Sequence, residues 1–132
     1  MFEITLERSF RASHGLRHYK GTTEPIHEHD WKVWIVVRGA EQDASGCMID
    51  FLDLIACYES AVADWRGGQN MNELAPFAAP QSSPSAENVA RLIYERIAAQ
   101  LPSDVALHKV TVEEEPGCRA SFYRIQDSRE KE

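Results

Sequence analysis

The sequence predicts an α+β domain in which two helices pack on one face of a four-stranded antiparallel sheet. Two long segments at the start of the chain alternate apolar and polar residues, as β-strands do, and a hairpin pattern closes the chain. Between them lie two segments whose apolar residues recur every three or four positions, as in amphipathic helices. The order of strand, strand, helix, helix, strand, strand is typical of this class.

Length and charge limit the kind of protein. A chain of 132 residues suits one domain, predicted over residues 1–126 and followed by a charged tail, residues 127–132. With 14 basic and 21 acidic residues the net charge is −7, which disfavours nucleic acid and anionic membranes as partners. No apolar run is long enough to cross a bilayer, and the N-terminus has no signal-peptide pattern. Three cysteines without Cys-x-x-Cys spacing suit a reducing compartment, so we expect a cytoplasmic protein.

The first strand is predicted over residues 2–14. Its even positions form one mostly apolar face that ends on a histidine, namely Phe2, Ile4, Leu6, Arg8, Phe10, Ala12 and His14.

The second strand begins with a His-x-His pair. Alternation places one row of side chains on the same face: His27, His29, Trp31, Val33, Ile35 and Val37. Because burying a polar ring without a partner is costly, this pair needs hydrogen bonds or a metal ion. Two interpretations of the pair alone stay open, a metal site and two ordinary core or active-site histidines.

Antiparallel pairing of these strands across the loop 15–26 predicts that three histidines meet. The end of the first strand then lies beside the start of the second, which brings His14 to His27 and His29. Three neutral nitrogens with an open fourth position favour zinc. His18, in the loop, is predicted to be a surface or substrate-side residue rather than a fourth ligand.

Both helices are predicted to pack as core against the sheet. The apolar stripe of the first helix, which ends before Gly67 and Gly68, contains Phe51, Leu54, Ile55, Tyr58, Val62 and Trp65. A polar loop follows over residues 69–83. The run Ser83-Pro84-Ser85 predicts the start of the second helix, whose buried face contains Val89, Leu92, Ile93 and Ile97.

The closing hairpin places a carboxylate on an apolar face. Val110, Val112 and Glu114 share one side of the predicted strand, and Pro116-Gly117 turns the chain into a last strand over residues 118–125. Glu114 either pairs with a cation or is solvated at the strand end, or it recognises a ligand that carries adjacent N–H donors.

Several short motifs follow one another in a specific order and spacing. They are Phe10-Arg-Ala-Ser-His14, His27-x-His29, Gly46-x-x-x-Asp50-Phe51, Met71-Asn72, Pro84-Ser-Ala-Glu-Asn88, Val110-x-Val112-x-Glu114 and Ala120-x-Phe122. In this set the chain resembles the 6-pyruvoyl-tetrahydropterin synthase and 6-carboxytetrahydropterin synthase family over nearly its whole length.

The resemblance implies a tunnelling fold, in which four-stranded sheets of small subunits join into a barrel. Such proteins are usually homohexamers, built as a dimer of trimers with active sites between subunits. By position, His14, His27 and His29 would bind Zn²⁺, and Glu114 would hold the pterin ring through its amino and ring N–H groups. The usual substrate is 7,8-dihydroneopterin triphosphate, whose side chain is cleaved or rearranged.

The chain also departs from the family pattern. Where these synthases usually read Cys-x-x-x-His-Gly-His, this sequence has Thr23 at the cysteine and Glu28 at the glycine. The Asp-His dyad that normally precedes a Leu-Asn motif is replaced by Gly67-Gly68. Glu24, at Glu-x-x-His spacing, is similar to the subfamily in which glutamate replaces the cysteine, a branch associated with making 6-hydroxymethyl-7,8-dihydropterin for folate.

Two classes of function follow. The first is a zinc-dependent pterin lyase with Glu24 as catalytic base. The second is a non-catalytic paralogue that binds zinc and pterin without turnover, in which Glu24 is a solvated loop carboxylate. A third interpretation, a metal-binding protein without a pterin ligand, predicts that Glu114→Ala leaves ligand binding unchanged.

Overall fold

The computed structural model describes residues 1–125, so the predicted charged tail lies outside the described residues. Five strands, two α-helices and a short 3-10 helix form in this part of the chain. In chain order they are β1 (Phe2–His14), β2 (His27–Gly39), α1 (Phe51–Val62), β3 (Gln69–Asn70), the 3-10 helix (Met71–Glu73), α2 (Ala86–Ala98), β4 (Ala106–Glu115) and β5 (Cys118–Phe122). The predicted α+β class is confirmed.

The strands form one mixed sheet in the order β3-β1-β2-β4-β5. The prediction of four strands, all antiparallel, is wrong because β3 adds a fifth strand that runs parallel to the end of β1. This strand has only two residues, too few to show alternation, and it pairs with Ala12 and Ser13. The last strand also ends at Phe122 rather than Ile125.

The apolar core lies between the sheet and both helices. The β2 row alternates as its sequence predicts, with Trp31, Val33, Ile35 and Val37 all at 0 % exposure. These side chains belong to the same buried cluster as Leu54 of α1 and Ile93 of α2, among others. The helices therefore cover one face of the sheet and leave the other face free of helices in the described chain.

Capping side chains set where the helices begin. Asp50 accepts a hydrogen bond from the amide of Leu52 at the start of α1, and Ser85 accepts one from Asn88 at the start of α2. Phe51 is 57 % exposed, so its predicted place on the buried stripe of α1 is wrong. The buried part of α1 begins one turn later, at Leu54.

None of the helices within residues 1–125 combines the length and the apolar character needed to cross a membrane.

Candidate metal centre

Strand pairing brings the three predicted histidines together. His14 ends β1, His27 begins β2, and the two residues are direct partners across the antiparallel ladder. His29, two residues further along β2, pairs with Ala12 on the same face. The ring centroids lie 4.8 Å apart for His14 and His27, 5.2 Å for His14 and His29, and 4.6 Å for His27 and His29.

Glu114 adds a carboxylate to this group. Its Oε1 atom lies 2.6 Å from Nε2 of His14 and 3.3 Å from Nε2 of His29. Glu114 lies at the end of β4, where the pairing of β4 with β5 shifts register between Glu113 and Glu115. The four side chains offer one ligand atom each, all within 4.8 Å of one another, and so form a group that could hold a metal ion.

Backbone carbonyls orient two of the imidazoles. His14 donates from Nδ1 to the carbonyl oxygen of Pro84 at 2.7 Å, and His27 donates from Nδ1 to that of Pro25 at 2.8 Å. Because a carbonyl only accepts, the proton of each neutral ring is on Nδ1. Nε2 of each ring is therefore left as a lone pair available to a metal ion, the arrangement that metal-binding histidines need.

The unpaired ring nitrogens of the centre show whether a cation would fit there. Nε2 of His14 and of His29 are buried without a hydrogen-bond partner while the rings are neutral, and both face Oε1 of Glu114. A lone pair held 2.6 Å from a carboxylate oxygen is repulsive unless a proton or a metal ion lies between them. The donor set of three nitrogens and one oxygen suits Zn²⁺.

The ionisation of the group follows from these contacts. Burial opposes charge on His14, but the contacts with Glu114 and the Pro84 carbonyl outweigh it, so the pKa of His14 is raised. The hydrogen bond with His14 lowers the pKa of the Glu114 carboxyl. Burial lowers the pKa of His29, which keeps this ring neutral and ready to bind a metal at neutral pH.

An indole closes the apolar side of the centre. Trp31 is fully buried, and its ring meets those of His14 and His29 edge to face at centroid distances of 4.8 and 5.9 Å. Its Nε1 donates to the carbonyl oxygen of Ala12 at 3.3 Å. The buried indole therefore packs against two of the three histidine rings on the core side of the centre.

Glu24 lies at the rim of the centre. Its Oε1 accepts a hydrogen bond from the Leu16 amide at 3.2 Å and lies 3.8 Å from Nε2 of His27. The side chain is 27 % exposed and is not one of the four metal-donor residues. The carboxylate is therefore within reach of a molecule bound over the histidines.

Other predicted residues lie elsewhere. His18 is exposed, has Nε2 3.1 Å from the Pro80 carbonyl, and does not belong to the donor group. The cysteines are free, with Cys47 and Cys118 exposed and Cys57 partly buried, and none belongs to that group.

Two of the departures from the family pattern, Glu28 and Gly68, lie close together. An added Cβ at Gly68 would lie 2.7 Å from Oε2 of Glu28. Glu28 therefore occupies space beside the position where the family carries its dyad. It is held there by Arg11 at 3.1 Å, and strand alternation directs it away from the histidine face.

Sequence reasoning missed the side chains that support the centre. Arg17 donates to the carbonyl oxygens of Asn72, Ala79 and Ser82 at 3.0, 3.3 and 2.7 Å, and also to that of Phe77. Asn72 is only 8 % exposed and bonds both backbone groups of Gly15. Only the Met71-Asn72 motif could have drawn attention to either residue, because their partners are backbone atoms of distant segments.

Fold and site together define a small α+β protein with a three-histidine, one-carboxylate metal-binding group. The chain matches the family described as 6-pyruvoyl tetrahydropterin synthase over residues 3–125, and it belongs to this family.

Named relatives agree with this membership. The chain is 30 % identical over 109 residues to a dihydroneopterin monophosphate aldolase from Pyrococcus furiosus, a match that covers 83 % of this chain and 86 % of the relative. The structure of Caenorhabditis elegans 6-pyruvoyl tetrahydropterin synthase superposes with a TM-score of 0.77 at 24 % identity, covering 95 % of this chain and 98 % of that one.

A further structural neighbour is a catalytic-residue mutant of Plasmodium vivax 6-pyruvoyltetrahydropterin synthase in which a glutamate is replaced by alanine. Its TM-score is 0.71 at 18 % identity, with 93 % of this chain and 97 % of that chain covered. At these identities the two solved structures show the shared fold.

Proposed function

We propose that this protein is a zinc-dependent pterin lyase that cleaves the side chain of a 7,8-dihydroneopterin phosphate and releases 6-hydroxymethyl-7,8-dihydropterin. The observation that carries the proposal is the position of Glu24, a carboxylate at the rim of a three-histidine centre, 3.8 Å from His27. Membership of the family and the aldolase name of the Pyrococcus relative support the choice of substrate and reaction.

His14, His27 and His29 would hold the zinc ion. Their convergence on one point and their two Nδ1–H bonds to backbone carbonyls support this role. When bound, zinc supplies Lewis acidity toward the side-chain hydroxyls of the substrate.

Glu24 is the proposed general base. It takes the proton from the side-chain hydroxyl whose carbon becomes the carbonyl of the departing aldehyde. The carbon–carbon bond between that carbon and the hydroxymethyl carbon breaks, and its electron pair stays on the carbon attached to the ring. That carbon then takes a proton, so the reaction needs no oxidant or reductant. The glutamate named as a catalytic residue in the Plasmodium vivax synthase supports this role for a carboxylate.

Glu114 is the proposed anchor of the pterin. An ionised carboxylate accepts two parallel hydrogen bonds, which matches the adjacent amino and ring N–H donors of the pterin. The lowered pKa of Glu114 keeps it ionised at neutral pH, which supports this assignment. Its position 2.6 Å from His14 would place a bound ring beside the metal ligands.

The assembly we propose is a homohexamer with active sites between subunits. Two free sheet edges support it. Within residues 1–125, β3 covers only Ala12 and Ser13 of the thirteen-residue β1, and β5 borders the other side of the sheet. Exposed edges of this length favour pairing with another copy, as in the expected barrel. Three free cysteines support the proposed cytoplasmic location.

The test is product analysis. Zinc-loaded protein is incubated with 7,8-dihydroneopterin triphosphate and, in parallel, with the monophosphate, and the products are identified by mass spectrometry. We expect 6-hydroxymethyl-7,8-dihydropterin, and the faster substrate identifies the phosphorylation state that is recognised. A 6-carboxy or 6-pyruvoyl product would overturn the assigned reaction.

A non-catalytic pterin-binding paralogue is the second candidate. It is favoured by Gly67 and Gly68 at the family's dyad position, where no side chain can move a proton. Retention of intact substrate by the zinc-loaded protein, without product, would support this candidate.

A further inference from the structure

Asn72 is one of two buried polar or charged residues in the part of the chain that the structure describes, the other being His14. It lies in the 3-10 helix Met71–Glu73, which follows β3 beside the end of β1. Its amide bonds both backbone groups of Gly15: Oδ1 accepts from the Gly15 amide at 2.9 Å, and Nδ2 donates to the Gly15 carbonyl at 2.8 Å. The side chain thus fixes Gly15 as a neighbouring strand would.

Gly15 in turn lies against the backbone of Glu24. A Cβ added at Gly15 would be 2.3 Å from the carbonyl oxygen of Glu24 and 2.9 Å from Cδ1 of Ile26. The first of these atoms belongs to the backbone and cannot swing aside. Residue 15 must therefore be glycine for the two segments to approach this closely.

Leu16 completes the link to the Glu24 side chain. The Glu24 amide donates to the Leu16 carbonyl at 2.8 Å, and the Leu16 amide donates to Oε1 of Glu24 at 3.2 Å. A displacement of residues 15 and 16 would therefore move both the backbone and the carboxylate of Glu24.

Asn72 is itself held from two sides. The backbone N–H of Asn72 donates to Oδ1 of Asn70 at 3.0 Å, and its backbone carbonyl accepts from Arg17 at 3.0 Å. These bonds fix the backbone that carries the side chain, so Asn72 has a defined position from which to hold Gly15.

We infer that Asn72 is a positioning residue, which acts through Gly15 and Leu16 to hold the Glu24 carboxylate at the rim of the metal centre. The inference rests on the proposed role of Glu24 as base. Asn72 is not one of the four metal-donor residues, and its hydrogen bonds go to Gly15, Asn70 and Arg17. Its loss should therefore reduce turnover while leaving metal binding intact.

The test compares Asn72→Ala and the nearly isosteric Asn72→Asp with Asn88→Ala. Asn72→Asp keeps the acceptor for the Gly15 amide but loses the donor to its carbonyl. Asn88 is the matched control, because its Nδ2 also bonds a loop carbonyl, that of Ser83 at 2.8 Å, without contacting Gly15 or Glu24. We expect kcat to fall at least tenfold in both Asn72 variants, with zinc stoichiometry and KM unchanged within about threefold, and no such fall in Asn88→Ala.

A double-mutant cycle separates positioning from general damage. In the Glu24→Gln background, Asn72→Ala should cause little further loss of kcat, because the group it positions is already gone. Losses that multiply would overturn the inference, as would full activity in a folded Asn72 variant.

Hydrogen exchange tests the placement without using activity. The Gly15 and Leu16 amides should lose at least tenfold of their protection in Asn72→Ala, which removes the acceptor of the Gly15 amide, and keep it in Asn88→Ala. If the wild-type protein turns over no substrate, the proposed function fails, and the exchange result alone then decides whether Asn72 holds this segment. Unchanged protection would overturn the inference in either case.

Discussion

Oε1 of Glu114 lies 2.6 Å from Nε2 of His14, although β1 and β4 are not neighbours in the sheet. The contact spans β2, which lies between the two strands, and it is made where the register of β4 against β5 shifts. Glu114 therefore faces the metal donors and the space above them at once. A carboxylate in this position can serve as a metal ligand or as the anchor of a bound ring. The two roles predict different effects when Glu114 is substituted.

Glu114→Gln should separate these roles. As pterin anchor, the neutral amide would place an N–H group against the ring donors, so we expect pterin affinity to fall about 10- to 100-fold. Zinc content, measured by elemental analysis after gel filtration, should remain at the wild-type level. A loss of zinc with unchanged pterin affinity would instead make Glu114 a metal ligand.

His27→Ala should weaken metal binding. Removing one of three converging nitrogens leaves two histidines, and we expect the zinc affinity measured by competition with a chromogenic chelator to fall at least about 100-fold. His108→Ala is the control, because His108 lies outside the donor group. Stripping zinc from the wild type should also lower its Tm, since a ligand that binds only the folded state stabilises it. An equal effect of both variants would place the metal elsewhere.

Glu24→Gln should reduce kcat by about 10²- to 10⁴-fold, the usual contribution of a general base. Steady-state kinetics on zinc-loaded enzyme would measure it, with zinc content checked in the same sample. Glu28→Gln is a matched control: its carboxylate pairs with Arg11 on the opposite side of β2, so its kcat should stay near the wild-type value. Unchanged turnover in Glu24→Gln would remove Glu24 from the mechanism.

Tyr58 makes the free energy of unfolding depend on pH in the alkaline range. Its hydroxyl is buried without a hydrogen-bond partner among the described residues, and burial raises its pKa from 10.0 to about 12. Between these values the unfolded chain ionises first, so the free energy of unfolding should fall by roughly 2 kcal/mol as the pH rises from 10 to 12.

Tyr58→Phe isolates this contribution. The variant should lose that part of the pH dependence and, because no hydrogen bond is broken, differ from wild type by less than about 1 kcal/mol at pH 7. Urea denaturation of both proteins at several pH values would measure the difference. Parallel curves above pH 10 would contradict the prediction.

The strands and the histidine row could be predicted because they depend on local alternation. The Phe2–His14 boundary and the shared face of His27, His29 and Trp31 follow directly from period-two patterning. The meeting of His14 with His27 also follows, since consecutive antiparallel strands joined by one loop place these ends side by side.

Contacts between distant segments could not be predicted. The bonds from Asn72 to Gly15 join an amide side chain to a backbone that has no sequence signal of its own. The two-residue strand β3 is too short for a pattern, and the nearness of Glu114 to His14 depends on how β4 lies across β2. Each of these features is a property of the packed chain rather than of any one segment.

The indole of Trp31 gives the protein a built-in optical probe. Indole emission is sensitive to charge on an adjacent imidazole, and the Trp31 ring meets those of His14 and His29. Trp34 stacks with Arg119, and Trp65 lies against Phe10 and Phe77. These two indoles do not contact the histidines, so their emission is a background signal. A metal ion that binds at this group should therefore change the intrinsic fluorescence of the unlabelled wild-type chain.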